Sequence, residues 1–451
     1  MPSKKSNTDR GPTALPKYRG TGFEEYYADP PMTPAEAKDE RENIYNPTIP
    51  FVERIQACIQ RFRCRRRINT SDSIQLFNQY LFLGGIDTSP RLFGGNDEAD
   101  MVGMTPEERR NATAIDTVYN SGGGSRFYNA DEPSGWEIDF AGVVAGFCSE
   151  TLPAMTNWEY PRMGKAIGLI ENFLSYVLHH DVCPEYDDNI KEALAVCNRA
   201  KIDLPLTHQA LIRFPGQFNL ALSELFCEDF NFFADDEAGF QRPRNFSPAA
   251  VVELAMAVGM LGMGVDEKTG TSMIHAARNP QTLKVISEED CNMEIVSIIR
   301  ASHSLRQVIR TVTIEGSMPD GFAALGKLVL QPCVVEDGYD HGYARDCNSN
   351  NHKSNAGGGS GGQDAQVFLI DDSILARLRP GFKLQLRVVR LDNGVSFIQQ
   401  ARAVLVSWHT FLPQTLMVHF KEPVANDRPA PCVTNPDDGE DDKSPEKNST
   451  D

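Results

Sequence analysis

The sequence predicts an α+β fold in which a helical N-terminal and middle region precedes a mainly antiparallel C-terminal β-sheet. Through the middle of the chain, apolar residues recur every three to four positions, which is the period of a helix. After Asn292 the period changes to two, which is the period of a strand. Both ends are poor in large apolar residues, so we expect a basic disordered tail at 1–22 and an acidic one at 424–451.

Composition narrows the class of protein. The chain has 451 residues and 62 acidic against 44 basic side chains, a net charge of -18, which argues against wholesale coating of nucleic acid and leaves only local basic patches for that role. It opens with polar residues, and its longest apolar stretch, Ala249–Val265, contains Glu253, so we expect neither a signal peptide nor a membrane span. Ten cysteines without a C-x-x-C pair predict reduced thiols in the cytosol or nucleus.

The region 23–150 is predicted to begin with an extended arm. Prolines and aromatic residues alternate there with charged residues as far as Pro50. Phe23, Tyr26 and Tyr27 are therefore candidates for docking into grooves on a partner, and packing on this protein's own core is the alternative. Thr33 is placed to cap a short polar helix.

Two amphipathic helices are expected after the arm. Apolar residues recur at helical spacing from Phe51 to Arg67 and again from Asp72 to Leu83. The glycine-rich stretch Gly84–Arg91 predicts a structured turn, and the polar stretch Asp97–Asn129 predicts a mobile connection.

The region 151–290 is predicted to be helical. Helices are expected to begin near Tyr160 and Ser247, and another should cover Asp187–Lys201. The glycines of Gly259–Gly264 follow a helical pattern and lack a following Lys-Ser/Thr, so they predict a helix end and not a phosphate-binding loop.

The region 291–423 is predicted to be a β-rich region. Strands are expected at Ile295–Ile299 and Val308–Ile314, which are rich in β-branched residues, and from Phe382, where polar and apolar residues alternate. Asp392-Asn393-Gly394 is typical of a hairpin turn. The glycine-rich segment 348–363 predicts a flexible loop inserted between strands.

The leading candidate for a binding site is a run of arginines at the end of the first amphipathic helix: Arg61, Arg63, Arg65, Arg66 and Arg67. Such a surface can bind phosphates of RNA or DNA, serve as a nuclear import signal, or pair with acidic residues of this protein or a partner. Phe62 is the one aromatic residue within the run, so the interleaved stacking platform typical of nucleic-acid sites is lacking. We expect phosphate or partner contacts here, with protein contacts favoured.

No pattern typical of catalysis or metal binding stands out. His179-His180-Asp181-Val182-Cys183 holds metal-ligand residue types but has no matching pair downstream, so it predicts a helix end stopped by Pro184 and not a zinc site. The other histidines are dispersed, without a nucleophile elbow or an H-E-x-x-H helix. We expect a protein that is not an enzyme and that holds no cofactor or metal.

Five stretches of the chain resemble the fungal Argonaute-binding subunit of the Argonaute siRNA chaperone complex. They are Phe23–Pro31, Ile44–Pro47, Pro50–Arg63, Gly84–Arg91 and Asn172–Tyr186, and the similarity extends from about Phe23 to about Pro423. These stretches are hallmarks of sequence and carry no catalytic motif.

The resemblance implies a non-enzymatic subunit in the nucleus and cytoplasm that works with a second chaperone subunit. It would bind Argonaute carrying duplex small RNA, restrain cleavage or release of the passenger strand, and support RNA interference-directed heterochromatin and histone methylation. The small RNA would be reached indirectly through Argonaute, and no membrane is implied. The alternatives are a direct RNA- or chromatin-binding adaptor that uses the arginine helix, and, third, a hydrolase or transferase whose residues converge only in space.

Overall fold

The computed structural model describes residues 34–66, 68, 70–88, 127–128, 136–227, 230, 246–262, 264–314, 322–336 and 365–419. The tails predicted at 1–22 and 424–451, the aromatic residues Phe23, Tyr26 and Tyr27, and the predicted loop 348–363 lie outside these residues.

The helices predicted in the middle of the chain and the short polar helix after Thr33 are present, but the end of the region predicted to be helical, 151–290, belongs to the sheet, which begins at Val285. The helices before the sheet are α1 (Pro34–Asn43), α2 (Phe51–Arg66), α3 (Ser71–Leu83), α4 (Phe140–Gly146), α5 (Leu152–Thr156), α6 (Tyr160–His179), α7 (Asp187–Leu211), α8 (Gln217–Phe226), α9 (Pro248–Gly262) and α10 (Glu267–Arg278). A π-helical turn, Phe147–Thr151, joins α4 to α5.

Local sequence explains where several of these helices begin and end. The carboxylate of Asp139 accepts a hydrogen bond from Gly142 N at 2.9 Å, and that of Asp266 accepts one from Thr269 N at 2.8 Å, so each caps its helix. Helix α9 ends at Gly262, as the glycine pattern predicted. Helix α7 continues ten residues beyond its predicted end at Lys201, with Pro205 inside it.

The C-terminal region forms the predicted antiparallel sheet, with five strands in the order β3-β2-β1-β4-β5. They are β1 (Val285–Ile299), β2 (Leu325–Pro332), β3 (Gln366–Asp371), β4 (Lys383–Leu391) and β5 (Ser396–Leu405). The Asn393-Gly394 turn joins β4 to β5 as predicted, and Gly394 has φ of 87°, which a residue with a Cβ rarely adopts.

The strand predicted at Val308–Ile314 is wrong, because this stretch belongs to a helix, α11 (His303–Ile314). Ser302 lies before the helix, and its Oγ accepts a hydrogen bond from Leu305 N at 3.2 Å. Ile309 is buried, whereas Thr311 is exposed and its hydroxyl donates to the backbone oxygen of Gln307. The N-terminal cap and the one-sided burial outweigh the strand preference of the β-branched residues.

Two neighbouring carboxylates connect the sheet to the helices around it. At the end of β3, Asp371 is buried and accepts hydrogen bonds from Gln217 N and Phe218 N at the start of α8, at 2.8 and 3.4 Å. Asp372 opens the short helix α12 (Asp372–Leu375) and accepts from Ala301 N at 3.2 Å. Each carboxylate thus holds a helix and a strand end together.

One large core crosses the predicted regions. It begins at Tyr45, includes the inner faces of α2, α3, α6 and α7, continues over the sheet through residues such as Phe368 and Leu384, and ends at Trp408. A second cluster packs α8, α9 and α10 against Val389, Leu391 and Phe397. Within the described ranges, no helix is long and apolar enough to cross a bilayer, and the seven cysteines whose side chains are described there are free thiols.

Candidate partner-binding surface around the arginine helix

Helix α2 is anchored by the apolar stripe that the sequence predicted. Ile55, Ile59 and Phe62 are buried, and the Phe62 ring lies 5.3 Å from Phe173 and 5.5 Å from Tyr176 of α6. These edge-to-face contacts fix the rotation of the helix, because a large apolar ring buried on both sides stabilises one orientation. The arginines are therefore distributed around the remaining faces of a rigidly held helix.

Two arginines of the run, Arg61 and Arg65, lie beside a buried carboxylate, that of Glu40 on α1. Arg61 Nε donates to Glu40 Oε1 at 2.6 Å, and Arg65 Nη2 lies 3.7 Å from the same oxygen. His180 Nδ1 is hydrogen-bonded to Glu40 Oε2 at 2.8 Å. The side chain of Glu40 is 3% exposed, so three cationic or polar partners replace its water. We call these four residues the Glu40 cluster.

The ionised form of Glu40 is favoured in this setting. Burial alone would raise the pKa of its carboxyl, but the hydrogen bonds from His180 and Arg61, with the charge of Arg65, outweigh burial and hold the pKa below its usual value. The same pairing raises the pKa of Arg61 against the effect of burial. The ion pairs and hydrogen bonds of the Glu40 cluster therefore hold α1 against α2 and against the end of α6.

Arg63 and Arg66 of the run also contact residues of this protein. Arg63 donates to Asn78 Oδ1, and its guanidinium lies 5.4 Å from the centre of the Phe77 ring. Arg66 is buried and lies 6.0 Å from the Phe62 ring. Arg67 lies outside the described residues. The geometry thus favours the interpretation in which the arginine run pairs with residues of its own chain. Contact of these arginines with phosphates or a partner stays a prediction.

Sequence reasoning missed the residues that hold this surface in place. Arg54 is buried on α2, donates to Val182 O at 2.6 Å and pairs with Glu185. Glu40 lies in α1, a polar helix without an apolar stripe. Its sequence alone would predict a helix exposed to solvent on all sides. Neither residue has a local signal, because its partner lies far away in the sequence.

The histidine-rich stretch forms a helix end, as predicted. Helix α6 ends at His179, and His180 N donates to Tyr176 O at 3.1 Å in the closing turn. The His180 ring stacks on Tyr176 with ring centres 3.9 Å apart. Among the described residues, no group of three or more His, Cys, Asp or Glu is placed to hold a metal ion.

A cavity of about 120 Å³ lies beside α2, between α3 and the residues that lead into α4. Phe51 and Ile55 form one wall and Trp136 another, while Glu137 and Asp139 add exposed carboxylates. A cavity of roughly 150 Å³ can hold a benzene ring, so this one suits one apolar side chain. The apolar walls of this cavity, with acidic residues beside them, favour a ligand that has an apolar side chain next to a positively charged one.

Comparison with known proteins identifies the family. The family model described as Argonaute siRNA chaperone (ARC) complex subunit Arb1 matches residues 13–423, which is most of the chain. The chain belongs to the Arb1 family. It is also 31% identical over 218 residues to Argonaute-binding protein 1 of Schizosaccharomyces pombe.

That second match covers 48% of this chain and 51% of the relative, so the chain spans about half the length of the curated relative it matches. No solved structure matches the chain. The Arb1 family match includes α1, α2 and the whole Glu40 cluster.

Proposed function

We propose that this protein is a non-enzymatic subunit of an Argonaute siRNA chaperone complex that binds Argonaute carrying duplex small RNA. In this proposal it restrains passenger-strand cleavage or release, and thereby supports RNA interference-directed heterochromatin assembly and histone methylation. The observation that carries the proposal is the Arb1 family match over residues 13–423. The name of the S. pombe relative, Argonaute-binding protein 1, supports Argonaute as the partner.

The proposal extends to the other partners and to location. A second chaperone subunit completes the complex, small RNA is reached through Argonaute, and the protein works in nucleus and cytoplasm. The internal pairing of Arg61 and Arg65 with Glu40 supports recognition through protein contacts at this surface, because these cations already have a carboxylate ligand.

The proposed Argonaute contact is the arm, with Phe23, Tyr26 and Tyr27 as anchors. Aromatic residues supply large contact areas with few rotatable bonds, which suits an extended segment that binds a groove. The arm lies within the span matched by the family and directly precedes α1, which the Glu40 cluster holds on the body of the protein.

Affinity purification of the tagged full chain from its own cells tests the partner, with nuclease-treated and untreated samples compared by mass spectrometry. We expect Argonaute in both samples, and much less of it with a variant that replaces Phe23, Tyr26 and Tyr27 by alanine. A variant that replaces Glu24 and Glu25 of the same arm by alanine is the control and should retain Argonaute.

A slicing assay tests the activity. Purified Argonaute loaded with duplex small RNA should cleave or release its passenger strand more slowly when this protein is added, and the triple aromatic variant should have a weaker effect. Loss of Argonaute after nuclease treatment, or an unchanged rate of slicing, would contradict the proposal.

A further inference from the structure

A second group of arginines, which the sequence does not mark as a run, meets at the end of α7. Arg213 Nη1 donates to the backbone oxygen of Gln209 at 2.6 Å, and Arg377 Nε donates to the side-chain oxygen of the same residue at 3.2 Å. Gln209 therefore holds the two guanidinium groups side by side, although 164 positions separate them in the sequence. Arg377 also donates to Ser373 O.

Arg300 and Arg306 add two more cations beside this pair. Arg300 forms a two-pronged ion pair with Asp372, with Nε and Nη2 at 2.9 and 2.6 Å from its two carboxylate oxygens. Arg306 Nη1 lies 3.6 Å from one of those oxygens. Burial, together with the charges of Arg213 and Arg300, lowers the pKa of Arg377, as expected where like charges lie close together.

Among the described residues, positive charge exceeds negative charge at this place. Asp372 is the carboxylate that faces the arginines, because neighbouring Asp371 points the other way, toward the start of α8. In the part of the chain that the structure describes, the hydrogen bonds of Arg213 and Arg377 go to neutral oxygens and neither pairs with a carboxylate. A bound anion would supply the missing negative charge, and guanidinium groups suit phosphate in particular.

An aromatic group lies at the same end of α7 as Gln209. His208, which directly precedes Gln209, stacks on Trp158 with ring centres 4.7 Å apart and planes 7° apart. Tyr160 packs edge-on against His208, its hydroxyl lies 2.8 Å from His208 Nδ1, and 37% of its surface is exposed. Burial lowers the pKa of His208, so this group is a neutral aromatic surface at pH 7.

The backbone at this aromatic group is held in an uncommon conformation. Asn157 and Trp158 have φ of 48° and 59°, in the left-handed region that bulky residues rarely occupy. Backbone strain of this kind persists where the surrounding structure imposes it and is frequent at functional sites. The Trp158 ring in this segment lies flat against His208.

We propose that Arg213, Arg300 and Arg377 bind backbone phosphates of a single-stranded nucleic acid, one of whose bases stacks on the aromatic group of Trp158, Tyr160 and His208. Arginines that follow the backbone beside rings that accept bases are the combination used by proteins that bind single strands without sequence preference. An acidic or phosphorylated peptide would use the arginines and would have no need of the rings. The site uses no residue of the arginine helix or of the proposed Argonaute contact, so it stands or falls independently of the proposed function.

Fluorescence anisotropy of the purified full chain tests the site, with labelled oligouridine and oligothymidine of about twelve nucleotides, within the site sizes common for such proteins. Affinity should fall steeply as salt rises from about 50 to 200 mM, because counterions are released on binding. We expect the Arg213→Gln, Arg377→Gln double variant to raise Kd about ten- to a hundredfold at low salt and to flatten the salt dependence. Tyr160→Ala should raise Kd about tenfold by removing part of the stacking surface.

Two further variants make the test specific. The Arg387→Gln, Arg402→Gln double variant removes the same charge from exposed ion pairs on β4 and β5 and should leave Kd within about twofold, since each of these arginines already pairs with its own carboxylate, that of Glu288 or Asp290. If the double variant Arg213→Gln, Arg377→Gln does not fold, Arg213→Gln alone replaces it in the test. The single change should disturb the fold little, because, among the described residues, Arg213 donates only to the backbone oxygen of Gln209, four residues earlier.

Three results would overturn the proposal: no salt-dependent binding by the unaltered protein, an equal loss in the control double variant, or binding that is insensitive to Tyr160→Ala and is displaced equally by a phosphopeptide. The last result would assign the arginines to a peptide ligand. Preference for oligouridine over oligothymidine would identify RNA as the natural strand and would support the site.

Discussion

Removal of the Glu40 carboxylate charge, by Glu40→Gln, should weaken the fold more than any other single charge change on α1. The substitution keeps the shape of the side chain but leaves Arg61 and Arg65 without their shared buried anion. Breaking a fully buried ion pair typically costs about 3–5 kcal/mol. Arg61 and Arg65 keep side-chain exposures of 38% and 27% and can regain water, so we expect a smaller loss, about 2–3 kcal/mol of unfolding free energy.

Urea denaturation of the full chain, followed by circular dichroism, measures this loss. Glu42→Gln is the matched control, because Glu42 lies on the same helix with 61% of its side chain exposed and pairs with Lys38 at 3.6 Å. Surface changes of this kind stay within about 0.5 kcal/mol. If the two variants are equally stable, the Glu40 cluster does not fasten α1 to the protein.

The Glu40 cluster should also make stability depend on pH. The folded-state pKa of Glu40 lies below the value of 4.5 for a free carboxyl, so the charged form stabilises the fold above pH 4.5. That contribution decreases below pH 4.5 and is lost once the pH falls through the folded-state pKa. Denaturation midpoints of the unaltered protein should therefore fall more steeply with acid than those of Glu40→Gln, and parallel curves would refute the assignment.

Three further changes test the core, the sheet and the cavity, and a fourth serves as the control for the last of them. Phe62→Ala should lower the unfolding free energy by about 3–5 kcal/mol, measured with urea, because a fully buried ring is lost and the neighbouring rings cannot close the space. Burial raises the pKa of Asp371 from 3.8 to about 6 against its backbone hydrogen bonds, so the fold loses stability as pH rises from about 4 to 6. Asp371→Asn should abolish this pH dependence, and it should also lower stability at every pH because the amide nitrogen cannot accept one of the two backbone N–H groups. A pH series of thermal melts that matches the unaltered protein would contradict this. Gly85→Ala should destabilise clearly in thermal melts, since Gly85 has φ of +77° and a Cβ there would lie 2.2 Å from Trp136, whereas Gly164→Ala, with open space around it in α6, should stabilise by about 0.5–1 kcal/mol.

The sequence alone determined the local architecture of this protein. Apolar periodicity predicted α2, α3, α6 and α9, and the Asn393-Gly394 pair predicted the β4–β5 turn, because helix period and turn preference depend on residues that are close in the chain. The same reasoning failed at Val308–Ile314, where burial of one face and the cap at Ser302 outweighed β-branched preference.

Only the tertiary structure decided what the arginines do. The sequence grouped Arg61 with the cations that follow it, but its carboxylate partner, Glu40, lies in a polar helix 21 positions earlier. His180, which also contacts Glu40, lies 140 positions after Glu40. Arg213 and Arg377 show the converse case, since two isolated arginines become neighbours only when α7 packs against the residues after β3. Charge pairing acts through space over a few ångströms, so a linear sequence shows which cations exist, and folding alone selects their partners.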